Sequence, residues 1–237
     1  MIDLTGAKPF AVGGNRYCYR HPENSDICLK VTRQDVLQSK FDSQSWVKKI
    51  FGISRLDDNI QEIKGYNQLD KVVLKEGIYD HIPIFYGREE TSLGVANVSQ
   101  LITDSKNNVA PNLSDWLVRY GLDDRTQQAV KQFQYWLREH QILTRNLLPH
   151  NLAVAEYNGK LTLYIIDGLG AADVLSYLYP IKSWREGYID RKIRNMNLRI
   201  KWEIDGRKGQ WRTEQKRIIS ESIKLDKSSK NLPSKTK

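Results

Sequence analysis

Two asparagines and an aspartate in the second half of the chain have the spacing of a phosphoryl-transfer site. Asn146 and Asn151 lie five residues apart in the segment ILTRNLLPHNL, and Asp167 follows sixteen residues after Asn151 in the segment IIDGLG. In kinase-type transfer an Asn and an Asp hold magnesium, and a further Asp, at the position of Asn146, accepts the substrate proton. We therefore predict Asn151 and Asp167 as metal ligands, and Asp167 also as a catalytic residue. An isolated Asp-Gly would be an ordinary turn. Here Asn151 and Asp167 occur together at this spacing after a long predicted helix, which is harder to obtain by chance.

The first half of the chain supplies residue types that can hold a nucleotide. Gly13 and Gly14 lie between two predicted strands, where a glycine turn lets the backbone approach phosphates, although Gly-Gly is also a common hairpin turn. Lys30 lies inside the apolar strand ICLKV, and Glu62 lies on the next predicted helix. A strand lysine that pairs with phosphates and with a helix carboxylate belongs to the same chemistry. The alternatives are a solvent-facing lysine on an edge strand and a solvated glutamate.

The residues that would carry out the transfer step depart from this pattern. Asn146 stands at the position of the catalytic base, and Leu148 replaces the lysine that often steadies the transferred phosphate. An asparagine cannot accept a proton at neutral pH, and a general base contributes about 10²–10⁴-fold in rate. The loop therefore favours a nucleotide-binding regulator over a fast kinase. Slow transfer stays open, because the transition state is loose and Asp173 or His150 could replace the base unless they are surface residues.

A β-rich segment must position the glycines and the lysine. Three strands are predicted between residues 8 and 31, and two more follow Ile82. Leu101 and Ile102 end the last strand, and we predict that they contact the nucleotide. A hairpin between the second and third strands would place Cys18 roughly opposite Cys28. Together with His21 these thiols could bind a metal, but two buried thiols in a sheet are the alternative because no CxxC spacing occurs.

The connection between these strands is predicted to hold an insertion and a helix. Residues 34–57 are mixed and polar, with three large apolar residues as anchors: Trp46, Ile50 and Phe51. Asp58-Asn59 then offers an N-cap to a helix that carries Glu62. The residues at helical spacing, which should share one face of this helix, are Ile60, Ile63, Tyr66, Asn67 and Leu69.

Helices dominate the chain after a polar hinge near residues 102–112. The pattern predicts helical segments at 113–117, 126–141 and 183–204, and Asn158-Gly159 predicts a hairpin turn between two short strands. In the last of these helices we predict Tyr188, Ile193, Met196 and Ile200 on the inward face. A sheet followed by helices indicates an α+β fold with two lobes around a cleft. We predict a small β-rich N-lobe with one helix at 1–102, a reduced and mostly helical C-lobe at 103–226, and a disordered basic tail at 227–237.

The basic charge is concentrated in the last quarter of the chain. The 237 residues carry a net charge of +9, and the segment from Ile181 onward holds 17 Lys+Arg against 7 Asp+Glu. Such a segment attracts anions, so an anionic membrane surface is a possible partner and a solubilising tail is the alternative. We do not expect a nucleic-acid partner, because Trp184, Trp202 and Trp211 have the spacing of packing residues.

The apolar pattern argues against secretion and membrane insertion. No basic start precedes an apolar run, and no stretch approaches 18 uncharged apolar residues. With only two cysteines, the chain fits a reducing compartment, and we expect a soluble cytoplasmic protein. Walker A, zinc-protease and nucleophile-elbow motifs do not occur in the sequence.

Several short motifs stand in a fixed order along most of the chain. They are Cys18-Tyr19, His21-Pro22-Glu23, Cys28, Lys30, Glu62-Ile63-Lys64-Gly65-Tyr66, Ile82-Pro83, Glu90-Thr91 with Gly94, Pro149-His150-Asn151, and Asp167 with Gly170. This ordered set resembles the bacterial YrbL family, known as PhoP regulatory network proteins, up to about residue 205. The resemblance implies a protein-kinase-like fold.

Resemblance and residues together imply ATP and Mg²⁺ as the bound cofactors. The first functional hypothesis is a pseudokinase-like regulator that binds ATP–Mg²⁺ and presents a surface to an unknown partner protein. The alternative is a slow active kinase that phosphorylates a small molecule or a cell-envelope sugar. The two differ in whether ATP is turned over in a way that depends on Asp167.

Overall fold

An antiparallel sheet forms the first part of the fold. The structure is a computed structural model that describes residues 1–50, 52–69 and 76–211, with the backbone alone at Lys48, Asp173, Val174 and Ser176. The strands are β1 (Ala11–Val12), β2 (Arg16–Arg20), β3 (Ile27–Thr32), β4 (Phe85–Thr91) and β5 (Gly94–Gln100), and their order in the sheet is β1-β2-β3-β5-β4. The predicted strands, and the mixed α+β class, are therefore confirmed.

The two faces of this sheet differ in chemistry. In the β2–β3 register Tyr19 pairs with Leu29, and both pack with Val31 and Val98 in a small apolar cluster on one face. The alternate residues point to the other face, since successive strand side chains alternate. That second face bears three cations and two thiols: Arg16, Cys18, Arg20, Cys28 and Lys30.

The predicted insertion is helical, and its anchors differ from the prediction. It contains α1 (Gln34–Asp42), α2 (Trp46–Lys49) and a 3₁₀ turn at Ile53–Arg55. The prediction that Trp46 and Ile50 anchor it is wrong, because they are 75% and 71% exposed, whereas Leu37 is buried. Phe51 lies outside the described residues.

Helix α3 (Asp58–Leu69) begins where the sequence predicts, but it buries a different face. Its buried residues are Asn59, Glu62, Gly65 and Leu69, whereas most of the predicted apolar face is only half-buried. The backbone N–H of Asn59 donates to Asp57 Oδ1 at 2.9 Å, so the cap comes from the residue before the helix. The buried face of α3 is polar because its side chains pair with residues of the sheet, as described below.

The later part of the chain packs helices around a two-stranded hairpin. The helices are α4 (Leu113–Tyr120), α5 (Asp124–Glu139) and α6 (Lys182–Ile204), the strands are β6 (Leu152–Tyr157) and β7 (Lys160–Ile165), and 3₁₀ turns occur at Ile78–His81, Pro149–Asn151 and Asp173–Leu178. Asn158 and Gly159, with φ of 50° and 75°, form the predicted turn. The side chains of Asn112 and Asp123 accept from backbone N–H groups at the starts of α4 and α5.

A second apolar cluster holds this part together. Phe133, Leu137 and Met196 are almost completely buried in it, and the predicted inward residues of α6 are buried as well. Leu69, Ile78 and Ile82 precede the predicted lobe boundary at residue 102, yet they belong to the same cluster. The division into two lobes at that residue therefore stays a prediction.

The tryptophans of the basic segment pack within the protein. Trp184 lies 5.1 Å from Tyr188 between ring centroids, and the Arg199 guanidinium lies over the rings of Trp202 and Trp211. Within the described ranges, none of the helices combines the length and apolar composition of a membrane-crossing segment. The predicted tail at 227–237 lies outside those ranges.

Candidate functional site

A buried ion pair joins the sheet to α3. Lys30, in the middle of β3, places Nζ 2.5 Å from Oε1 of Glu62, and both side chains are only 6–7% exposed. Burial opposes the charge on each group, but mutual attraction outweighs burial. As a result the pKa of Lys30 is raised, and that of Glu62 falls to about 2 with help from Arg16. Both groups therefore stay ionised at neutral pH. The lysine is not the solvent-facing residue of the alternative interpretation.

Arg16 is a member of the same cluster that sequence reasoning missed. Its Nη1 lies 2.8 Å from Glu62 Oε2, and its Nη2 lies 3.0 Å from Asp167 Oδ1. Burial disfavours the cation, but the nearby carboxylates raise the pKa of Arg16. A sequence signal existed, because Arg16 starts a strand directly after the glycine turn and shares a face with Lys30.

Two asparagines complete the hydrogen bonding of this cluster. Asn97 Nδ2 donates to Glu62 Oε2 at 3.0 Å, and Asn59 Nδ2 donates to the carbonyl of Lys30 at 2.8 Å. Asn59 Oδ1 also accepts from Arg16 Nη1 at 3.3 Å. Buried charges require such partners, and this explains why α3 turns polar residues toward the sheet.

The loop before β6 and the segment after β7 meet next to this cluster. Lys30 Nζ donates to the carbonyl of Ile166 at 3.1 Å, and the N–H of Ile166 donates to the carbonyl of Asn151 at 3.0 Å. Asn151 Nδ2 donates to the carbonyl of Asn146 at 2.9 Å. Residues 16, 30, 62, 151 and 167, distant in sequence, are therefore brought to one place.

Glycine is required where these segments approach most closely. A Cβ on Gly65 of α3 would lie 2.5 Å from the carbonyl oxygen of Leu169. Gly168 adopts φ of +80°, and a Cβ there would lie 3.0 Å from the carbonyl oxygen of Asn146. The N–H of Gly168 donates to Asp167 Oδ1 at 2.7 Å, which fixes one carboxylate oxygen. The segment after β7 is thus held tightly against α3 and the loop.

A cleft of about 840 Å³ opens beside the cluster. Most of the predicted site residues line it: Gly13, Gly14, Lys30, Leu101, Ile102, Asn151 and Asp167. Arg16 and His150 line it as well, and Ser99 contributes a buried hydroxyl that has no partner among the described residues. Partial burial and the charge of Arg199 lower the pKa of His150, so its imidazole is neutral at pH 7.

Three predicted residues have other positions. Glu62 lies behind Lys30, beneath the cleft surface, and Asn146 is exposed outside the set of described residues that line the cleft. The side chain of Asp173 is outside the described part of the chain. The assignments of all these residues to nucleotide, metal or catalysis stay predictions.

The oxygen donors present fit a small divalent cation. Because Asn151 uses its amide nitrogen on Asn146, its Oδ1 remains available, and the Asp167 side chain is 41% exposed toward the cleft. Amide and carboxylate oxygens, completed by water and substrate phosphates, are the usual Mg²⁺ ligands. Among the described residues no cluster of three or more His, Cys, Asp or Glu side chains forms a separate metal site.

Fold and site together define an α+β protein in which a buried Arg16–Lys30–Glu62 cluster contacts a partly exposed aspartate, Asp167, at the wall of a cleft. The chain belongs to the family described as PhoP regulatory network protein YrbL, whose profile matches residues 2–201. It is similar to the "Uncharacterized protein YrbL" of Escherichia coli (strain K12), with 26% identity over 196 residues that cover 81% of this chain and 82% of that protein. The protein of the same name from Shigella flexneri matches with the same values. The resemblance to this family is therefore confirmed.

Proposed function

We propose that the cleft binds ATP with Mg²⁺ in a protein-kinase-like arrangement, and that the protein acts as a nucleotide-binding regulator. The observation that carries the proposal is the Lys30–Glu62 pair at 2.5 Å, with Lys30 Nζ also bonded to the carbonyl next to Asp167. A strand lysine held by a helix glutamate, beside an Asp and an Asn, is the cation-and-metal arrangement of protein kinases.

The shape and chemistry of the cleft support a nucleotide as the ligand. Its volume of about 840 Å³ is in the range of small-molecule sites. Lys30 and Arg16 supply positive charge for phosphates, while Leu101 and Ile102 supply apolar surface for a base. The Ser99 hydroxyl, which has no partner within the described ranges, is a polar group that a bound ligand could satisfy.

In this arrangement Asn151 and Asp167 would hold Mg²⁺. The cation would bridge phosphate oxygens and neutralise their charge. Lys30 would bind a phosphate while Glu62 fixes its position. Gly13 and Gly14 would cover the phosphates, with the N–H of Gly14 as the donor, because the N–H of Gly13 already donates to the carbonyl of Arg16 at 2.8 Å. Asn146 supports a regulator, because an amide at the base position cannot take a substrate proton. This side chain also lies outside the described cleft lining.

Slow phosphorylation of a small molecule or envelope sugar is the second candidate. It is favoured by His150, whose neutral imidazole lines the cleft and is able to accept a proton. Release of phosphorylated product that disappears in the His150→Gln variant, with ATP binding retained, would support this candidate over the regulator.

Thermal unfolding with ATP and Mg²⁺ tests the binding proposal. A ligand at a hundredfold excess over its Kd adds about 2.7 kcal/mol to stability, and for this chain length that corresponds to roughly 5–10 °C in the midpoint. The Lys30→Met variant should bind ATP–Mg²⁺ about tenfold or more weakly, since a charged hydrogen bond is lost. Lys131→Met, on the exposed face of α5, is the matched control and should behave as wild type. A wild-type midpoint that does not move with millimolar ATP and Mg²⁺ would overturn the proposal.

A further inference from the structure

Two thiols lie side by side on the face of the sheet that lines the cleft. In the register of β2 and β3, Cys18 pairs with Lys30 and Cys28 pairs with Arg20, so the cysteines are diagonal neighbours. We predicted that the two cysteines lie roughly opposite each other, but in the register of the strands they are offset by two residues. Both are free thiols, and both line the cleft. No metal cluster forms around them among the described residues, and His21 uses Nδ1 on the backbone of Glu23.

The surroundings of the two thiols differ. Interaction with the Cys28 thiol, together with the positive charges of Lys30 and Arg16, lowers the pKa of Cys18 to about 7. The same interaction and burial raise the pKa of Cys28 well above that of an ordinary thiol. Cys18 is half-buried and Cys28 is buried. A partly accessible thiol beside two cations is the environment of a reactive cysteine, and a buried thiol next to it stays protonated.

We propose that Cys18 is a site of oxidation by hydroperoxides and that Cys28 resolves the product as a disulfide between β2 and β3. The Cys18 thiolate attacks the outer peroxide oxygen, the O–O bond breaks, and the leaving alkoxide or hydroxide takes a proton. Cys18 is then a sulfenic acid. The Cys28 sulfur attacks the Cys18 sulfur, the S–O bond breaks, and the hydroxide leaves as water with the Cys28 proton. In sum two thiols lose two electrons and two protons, and the peroxide is reduced.

The register indicates that this bond is reversible and changes the wall of the cleft. Diagonal neighbours in an antiparallel pair have Cα atoms about 7–8 Å apart, at or beyond the upper limit for a relaxed disulfide. The two strands must therefore shift slightly, and a strained disulfide is reduced more easily than a structural one. The bond would also move Lys30 and Arg16, which flank Cys18, away from their present positions. Oxidation would thus act on the wall of the cleft.

The chemistry does not depend on what the cleft binds, so it can be tested apart from the proposed function. The folded wild-type protein is treated with hydrogen peroxide, and its intact mass and non-reduced peptides are measured. We expect a loss of two hydrogen atoms per chain, a linked peptide containing Cys18 and Cys28, and full reversal by dithiothreitol. Denatured protein is the reference for an ordinary thiol, and Cys18 in the folded protein should react faster.

Two serine variants separate the roles of the thiols. Cys28→Ser should accumulate Cys18 sulfenic acid, which dimedone labels, and should gain further oxygen with time. Cys18→Ser should leave Cys28 unreacted over the same period. The proposal is overturned by Cys28 reacting in Cys18→Ser as fast as in wild type. It is equally overturned by wild-type Cys18 taking up oxygen without forming the linked peptide.

Discussion

Arg16 Nη2 lies 3.0 Å from Asp167 Oδ1, so the carboxylate that would hold Mg²⁺ is already paired with a cation. The same guanidinium contacts Glu62 at 2.8 Å, and it therefore connects the strand after the glycine turn to α3 and to the segment after β7. A single buried side chain ties together three parts of the site. Loss of this cation leaves Glu62 with Lys30 and Asn97 as partners, and Asp167 with the N–H of Gly168.

Arg16→Gln should therefore destabilise the fold strongly. Removing one partner of a buried ion pair costs about 3–5 kcal/mol, and the lower end applies because Lys30 still pairs with Glu62. Urea unfolding measures the loss. Arg138→Gln is the control, since Arg138 pairs with Asp190 at 2.8 Å with both side chains at least half exposed, and its midpoint should stay near that of wild type. Equal losses in the two variants would contradict the role of Arg16.

Glu62 should make stability depend on pH in the acid range. Its folded pKa of about 2 lies below the ordinary value of 4.5, so its contribution is present above pH 4.5 and is lost as pH falls toward 2. For this fully buried group the shift corresponds to about 3 kcal/mol. Glu62→Gln lowers stability near neutral pH because Lys30 and Arg16 lose their carboxylate, and this deficit shrinks as the wild-type carboxyl becomes protonated in acid.

The measurement is the free energy of unfolding at pH 6 and pH 3 in both proteins. Wild type should lose more stability than Glu62→Gln over this interval, because only wild type has the group to protonate. Parallel losses in wild type and variant would show that other carboxylates account for the acid sensitivity.

The outer architecture of the protein follows from its sequence pattern, whereas the polar interior of the site does not. Alternation and turn residues gave the strands, and the apolar spacing of α6 gave Tyr188, Ile193, Met196 and Ile200 as its buried face. The same rule failed for α3, because Glu62 and Asn59 are buried by pairing with Lys30 and Arg16 from distant strands. Periodicity identifies a buried face from its apolar side chains. It does not identify charged residues that are buried because the fold pairs them with distant partners.

Trp46 shows the opposite failure. A large apolar residue in a polar segment was predicted as an anchor, yet it is 75% exposed while the smaller Leu37 is buried. The rule that apolar residues are inside holds only on average, since much of a folded surface is apolar. The spacing of Asn151 and Asp167 drew attention to them, whereas Arg16 was missed because its partners come from two other segments and its place on the strand was the only signal.

Gly65→Ala should separate α3 from the segment after β7. The added Cβ would lie 2.5 Å from the carbonyl oxygen of Leu169 and 2.8 Å from its carbon, so the backbone must move. Overpacking of this kind costs about 1–3 kcal/mol, and we expect that loss in thermal or urea unfolding.

Gly187→Ala is the matched control for this substitution. Gly187 lies in α6, and a Cβ there meets nothing within 4 Å, so alanine should stabilise the helix by up to about 1 kcal/mol. Opposite signs at the two glycines are the expected result. A stabilising Gly65→Ala would mean that α3 is not packed against Leu169.

Asp167→Asn should remove the magnesium dependence of nucleotide binding, if the cleft holds ATP–Mg²⁺ as proposed. The substitution keeps the size of the side chain but removes the anionic metal ligand, and it leaves Arg16 Nη2 without its carboxylate partner, so that this nitrogen could attract phosphates. Binding measured by calorimetry with Mg²⁺ and with EDTA should differ by tenfold or more in wild type, the size of one charged contact, and little in the variant. Asn146→Asp serves as the control, because this side chain is exposed outside the described cleft lining and should not change the affinity. If the affinity of Asp167→Asn still depended on magnesium, the cation would have to bind somewhere other than the predicted Asn151–Asp167 site.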